Sequence, residues 1–218
     1  MAHASVRRGQ LAGLTAAVLF GCSAPLISTL TGSGSALSIA GLLYAGAGLA
    51  LLAVRLIQGR AQAETPVQRQ DWPALVGLTL LGGVVGPLAL VLGLARLPAV
   101  SSSLLLNLEA VFTLTIAVAV GREHLGKRGL LSAALTLAGA VVLSGGTLSG
   151  ASWPGASLIA LATLAWAIDN NLSQRLSLRN PIQIASLKAV GASLPMLGLA
   201  LLLGGSFPSL PLISGLLG

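Results

Sequence analysis

The chain has 218 residues, of which 55% are hydrophobic and only 8% charged, and its formal net charge is +7. A soluble domain carries roughly 25% charged residues, so 12 basic and 5 acidic side chains cannot coat a soluble fold of this length. Disorder is excluded by the same numbers, because it needs low hydrophobicity. A membrane-embedded protein of several spans remains.

In chain order, seven segments meet or approach the roughly 20 apolar residues that a helix needs to cross a hydrocarbon core of about 30 Å. They are Leu11–Leu30, Ala36–Ile57, Pro73–Ala95, Pro98–Val120, Gly129–Gly145, Pro154–Gln174 and Ile182–Gly204, and an eighth apolar run starts near Pro211. All are too long and continuous for barrel strands, which alternate over about 10 residues. The expected fold class is therefore an all-α multi-pass membrane protein. Its separators are short: Thr31 to Ser35, Gln58 to Trp72, Arg96-Leu97-Pro98, and an uncharged stretch from Gly145 to Trp153. Links of this kind make successive helices antiparallel neighbours and leave no room for a separate soluble domain.

The single Cys22 cannot form an intrachain disulfide, and His3 and His124 are too far apart in sequence to suggest a ligand cluster. Nucleic-acid binding needs a basic face or stripe, whereas the basic residues here sit in small groups between apolar runs. With the N-terminus inside, Arg7, Arg8, Arg55, Arg60, Arg69, Arg122, Lys127, Arg128, Arg175 and Arg179 fall in inside loops. Arg96 alone falls outside, and Lys188 lies within a span. The positive-inside rule then places the N-terminus in the cytoplasm. Arg7-Arg8 could also open a signal peptide, but the first apolar stretch is longer than a signal core of 7–15 residues. A retained first helix is expected.

Leu37–Leu52 and Ile182–Leu197, 145 residues apart, share seven identities in sixteen positions, among them Gly46/Gly191 and Ala47/Ala192. That offset covers five spans, an odd number, so consecutive copies must be oppositely oriented. Inverted repeats with a site between them recur in secondary transporters. The expected units are 9–146, complete, and 154–218, partial. The second lacks a counterpart to roughly the last 72 residues of the first, and the chain is read as a truncated ten-span protein.

Several motifs resemble the drug/metabolite transporter superfamily, EamA type. The run from Ala17 to Pro25 (AVLFGCSAP) resembles its first-helix pattern, and Leu94 to Thr113 (LARLPAVSSSLLLNLEAVFT) its fourth. Val120 to Leu125 (VGREHL) and Leu137 to Leu143 (LAGAVVL) continue it into the fifth helix. Trp166 to Leu172 (WAIDNNL) is similar to the opening of the second repeat in one branch. Ala110 departs from the pattern, standing where many members carry a proline. The resemblance implies ten spans in two inverted five-helix repeats, both termini cytoplasmic. It also implies movement of small metabolites, amino acids or drugs through a central cavity.

Ionisable residues inside spans are functional candidates by default. Glu109 lies mid-span, roughly 16 Å from water by the helical rise. It must face a wet cavity, pair with a cation or hold a proton. Ser102 and Thr113 fall seven before and four after it, on one helical face, and Asn107 joins the set. The same residues could instead anchor helix packing. Asp169, Asn170 and Asn171 span about 200° of one helix, so they cannot all face lipid, although a polar helix end starting early is the competing reading. Lys188 sits about 9 Å deep, within snorkelling range. At that same depth on the neighbouring helix, Asp169 is its expected ion-pair partner, and Glu109 lies about 7 Å deeper.

Pro25, Pro87 and Pro195 lie inside spans and free backbone carbonyls, marking helix-kink candidates. Gly82-Gly83-Val84-Val85-Gly86 has the small-xxx-small spacing of close helix packing. No hydrolase, zinc-protease or P-loop motif is present, so neither enzymatic activity nor a cofactor is expected. The function expected is a cytoplasmic-membrane permease moving small solutes by alternating access. Its rival is a truncated, transport-inactive module that needs partner helices. Expected partners are the bilayer and a small-molecule substrate, with a homodimer left open and nucleic acid excluded.

Overall fold

The computed structural model describes residues 2–58, 65–121, 126–143 and 152–209. All regular elements among them are helical: α1 (Ala2–Leu30), α2 (Ala36–Gln58), α3 (Trp72–Leu78), α4 (Gly86–Leu94), α5 (Ala99–Leu105), α6 (Leu108–Ala119), α7 (Lys127–Leu143), α8 (Trp153–Gln174) and α9 (Pro181–Leu202). A 3-10 turn at Arg69–Asp71 leads into α3, and a π-helical segment, Thr79–Val85, joins α3 to α4 in one rod. The eighth apolar run, Arg60, Arg122, most of the Val120–Leu125 motif and the expected fifth-span end at Gly145 lie outside the described residues.

Five stretches are long and apolar enough to cross a bilayer: Gly9–Leu30, Ala36–Ile57, Arg69–Leu94, Ala99–Ala119 and Pro181–Leu202. These correspond to the first four and the seventh of the expected spans. Helix α8 has spanning length, with 22 residues, but Asp169, Asn170 and Asn171 dilute its apolar character. Instead of facing lipid all round, it packs against α4 and α6. The described part of α7 has 17 residues. The expected fourth span is interrupted, because α5 ends at Leu105 and α6 starts at Leu108.

Local chemistry sets the helix starts. Ser152 accepts the Gly155 N–H at 3.2 Å and Asn180 accepts the Gln183 N–H at 2.8 Å. Each cap is followed by a proline in the first turn, where the missing N–H removes no intrahelical bond. Helices α1 and α2 present Leu11, Leu14, Leu49 and Leu56 outward. In a membrane, exposed apolar side chains are not a liability.

The rod α3–α4 is central, packed by α8, α9 and α2. Ile39, Leu90, Val91, Ile159 and Met196 form the heart of the core. Helices α2 and α9 make the most extensive pairing. Gly41 lies against Leu197 and Gly48 against Ala189 and Val190, so the two run antiparallel. In that register residues 46–47 fall across from 191–192.

The loops sort to two ends. At one, the Thr65 carbonyl accepts the Asn180 N–H at 2.9 Å and Arg179 pairs with Asp71. At the other, Ser35 and Ser38 donate to the Ser206 carbonyl at 2.8 and 2.6 Å, and the Ser152 hydroxyl donates to the Arg96 carbonyl at 3.1 Å. Arg179 and Arg96 therefore sit at opposite ends of the bundle, as the alternation of loops requires.

Candidate functional site

The polar centre is built on the rod. In the π segment the Gly86 N–H bonds the Leu81 carbonyl, five residues back. The next bond in that register would run from residue 87 to the Gly82 carbonyl, but Pro87 has no N–H to donate. A carbonyl so freed inside a membrane must find another donor. Two arrive from other helices: the Tyr44 hydroxyl at 2.7 Å and the Trp166 indole N–H at 3.1 Å.

Glycines let these helices approach. A Cβ at Gly82 would fall on the Asp169 carboxylate, and one at Gly86 would lie 2.5 Å from Trp166 Nε1. At Gly83 it would meet Ala192 Cβ at 2.9 Å and lie 3.6 Å from both Lys188 Cγ and the Tyr44 ring. The small-residue spacing is thus used, and it sets α8 and α9 directly against the rod.

Asp169 on α8 and Lys188 on α9 form an ion pair through Asp169 Oδ2, as their equal depth suggested. Asp169 is buried, and its Oδ1 has no hydrogen-bond partner. The Lys188 side chain keeps 20% of its surface and reaches a cleft of about 420 Å3 between α3, α8 and α9, beside Ser173, Ser177 and Arg179.

A second cleft, of about 500 Å3, opens between α6 and α8 and is lined by Leu106, Asn107, Glu109, Ala110, Thr113, Leu114 and Asn170. The Asn170 amide donates to Glu109 Oε1 at 2.8 Å and lies 3.5 Å from Thr113 Oγ1. Asn171 donates to the Thr113 carbonyl at 3.2 Å and to Ala167 in its own helix at 2.8 Å. Glu109 and Asn170 therefore meet, although counting rises along each helix sets Glu109 about 7 Å deeper than Asp169. The interruption between α5 and α6 and the reach of both side chains close that gap.

Of the residues singled out in the sequence, the structure brings Asn107, Glu109, Thr113 and Asn170 into one cleft and sets Asn171 against its wall. Ser102 does not join them. It is fully buried on α5, its hydroxyl without a hydrogen-bond partner, because the turn at 106–107 breaks the helical register that aligned it with Glu109. Pro25 and Pro195 lie inside α1 and α9, and Pro87 sits in the first turn of α4.

Sequence reasoning missed Tyr44 and Trp166 as partners of a freed carbonyl; Pro87 after the glycine run was the available signal. It also missed the Asp71–Arg179 pair, Nε to Oδ2 at 2.7 Å. Asp71 Oδ2 additionally accepts the Gln68 N–H at 2.7 Å, and the Arg179 guanidinium reaches Gln68 Oε1 at 3.3 Å. No local pattern links two residues 108 apart.

Fold and site together define a multi-pass helical membrane protein that gathers ionisable and amide side chains inside its bundle. The chain belongs to the EamA-like transporter family, whose model matches residues 7–145. An uncharacterized transporter of Methanothermobacter thermautotrophicus is 30% identical over 90% of this chain and 62% of its own length. The uncharacterized inner membrane transporter YedA of Escherichia coli K12 is 29% identical over 83% of this chain and 58% of its own. The chain thus spans about three fifths of the length of these curated relatives. No solved structure matches it significantly.

Proposed function

We propose that the chain works in a permease of the cytoplasmic membrane that moves small organic solutes, of the class of metabolites, amino acids or drugs, by alternating access. The observation that carries this reading is the meeting of Glu109 and Thr113 with Asn170 at the edge of an open cleft. One side of that cleft comes from unit 9–146 and the other from unit 154–218. Transporter sites lie at such repeat interfaces, and intramembrane ionisable residues mark substrate or ion pathways.

The register of α2 against α9 supports the inverted arrangement of the two units. The residues it sets across from one another, 46–47 and 191–192, are those the repeat equates. Antiparallel contact of equivalent helices at equivalent positions is what a two-fold axis in the membrane plane produces. The Asp169–Lys188 pair ties α8 to α9, so this hairpin moves as one body against the rod. The N-terminus faces the cytoplasm, following the basic loops.

The test is uptake of a panel of labelled neutral, anionic and cationic metabolites into proteoliposomes. Saturable uptake of at least one solute, reduced at least tenfold by Glu109→Gln, is expected. A panel in which nothing moves, or a variant as fast as the parent, overturns the reading.

A further inference from the structure

Three acids lie among the described residues: Asp71, Glu109 and Asp169. Asp71 is neutralised by Arg179 and Asp169 by Lys188. Glu109 has no cation within ion-pair distance among the described residues, and Lys188 is already held by Asp169. Glu109 is the one ionisable residue among those lining its cleft, so it sets the sign of the charge there.

The hydrogen-bonding inventory of the cleft points the same way. An asparagine offers two N–H donors and one carbonyl acceptor, and an ionised glutamate only acceptors. The Asn107 amide nitrogen is spent on the Ser103 and Leu104 carbonyls of its own helix, at 3.4 and 3.0 Å. The Asn170 amide nitrogen is spent on Glu109 Oε1 and Thr113 Oγ1. Apart from the rotatable Thr113 hydroxyl, the side-chain groups still open to a ligand are acceptors: the second Glu109 oxygen and the two amide carbonyls. A carboxylate or phosphate would find like charge and almost no donor. An ammonium group brings positive charge and two or three N–H donors. The remaining walls, Leu106, Ala110 and Leu114, suit an apolar tail, and about 500 Å3 is ordinary for a small-molecule site.

We propose that the Glu109 cleft is a binding site for small organic ammonium ions carrying a short apolar tail. Glu109 supplies the counter-charge, Asn107 and Asn170 the acceptor carbonyls, and the Leu106–Leu114 wall the apolar contact. This rests on the permease reading for the use of the site, but the binding itself is measured without transport.

The experiment is equilibrium binding of n-butylammonium, butyrate and 1-butanol to the purified full chain in lipid nanodiscs near neutral pH. Saturable butylammonium binding is expected, weakened at least tenfold by Glu109→Gln and kept within about threefold by Glu109→Asp, with no measurable binding of butyrate. Retained melting temperature and monodispersity of the variants separate loss of the site from loss of the fold. Butyrate or butanol binding as tightly as the amine, no amine binding to the parent, or amine binding untouched in a folded Glu109→Gln protein would each overturn the ammonium site. If those results came with uptake of a neutral or anionic solute, the permease reading would stand; amine binding with no solute moving would leave the site and remove the permease.

Discussion

Tyr44 on α2 and Trp166 on α8 donate to one and the same acceptor, the Gly82 carbonyl, at 2.7 and 3.1 Å. Two helices that are far apart in sequence are therefore joined through a backbone atom that Pro87 leaves without its own donor. Neither side chain needs the other to make its bond, but the carbonyl needs at least one of them.

This dependence predicts non-additivity. A hydrogen bond within a membrane protein contributes on average about 0.6 kcal/mol, so Tyr44→Phe and Trp166→Phe should each destabilise by about that amount beyond repacking. The double variant strands a buried carbonyl, which costs about 1–3 kcal/mol. Denaturation of the four proteins in detergent should show a loss in the double variant larger than the sum of the two single losses. Strictly additive losses would show that the shared acceptor has another donor.

Glycine substitutions should separate close approach from open surface. Gly82→Ala drives a methyl into the Asp169 carboxylate and Gly86→Ala into the Trp166 indole, whereas nothing lies within 4 Å of a Cβ at Gly46. Overpacking costs typically about 1–3 kcal/mol. Thermal unfolding followed by size-exclusion chromatography should show loss for the first two and no loss for Gly46→Ala.

The Asp169–Lys188 pair predicts a double-mutant cycle. Removing one partner of a buried pair costs roughly 3–5 kcal/mol, while replacing both can be close to neutral. Asp169→Asn and Lys188→Met should each lower stability, and the double variant should recover part of the loss. Full additivity would mean that the two charges do not stabilise one another.

At the loop end, Thr65 and Leu178 adjoin through the Thr65 hydroxyl, which donates to the Leu178 carbonyl at 2.8 Å. Cysteines at these two positions, in a Cys22→Ser background, should cross-link under mild oxidation. Arg179→Ala should reduce the yield by releasing Asp71 and Gln68. An unchanged yield would show that the backbone bridge holds the loops without the ion pair.

Topology is tested by reporter fusions after Arg60 and after Ser149, which should report opposite sides of the membrane, the first cytoplasmic. The same side for both would contradict the alternation of loops on which the inverted units rest.

Membrane embedding, the places of the long helices, their short antiparallel links and the uneven distribution of basic charge were all readable along the chain. Each is a one-dimensional property: length of apolar run, position of a proline or a cap, sign of a loop. The Asp169–Lys188 contact was also within reach, since equal depth on neighbouring antiparallel helices is a count of residues. The angle each helix presents to its neighbours could not be read. Lipid is as apolar as a packed interior, so leucine and alanine around α8 and α9 carry no contrast that marks the buried face. Tertiary packing therefore decided that Asp71 meets Arg179 and that Tyr44 and Trp166 share Gly82, while the turn at 106–107 set Ser102 away from Glu109. Both contacts depend on helix rotation and on partners far apart in sequence, where the bond is made only once separate elements have docked.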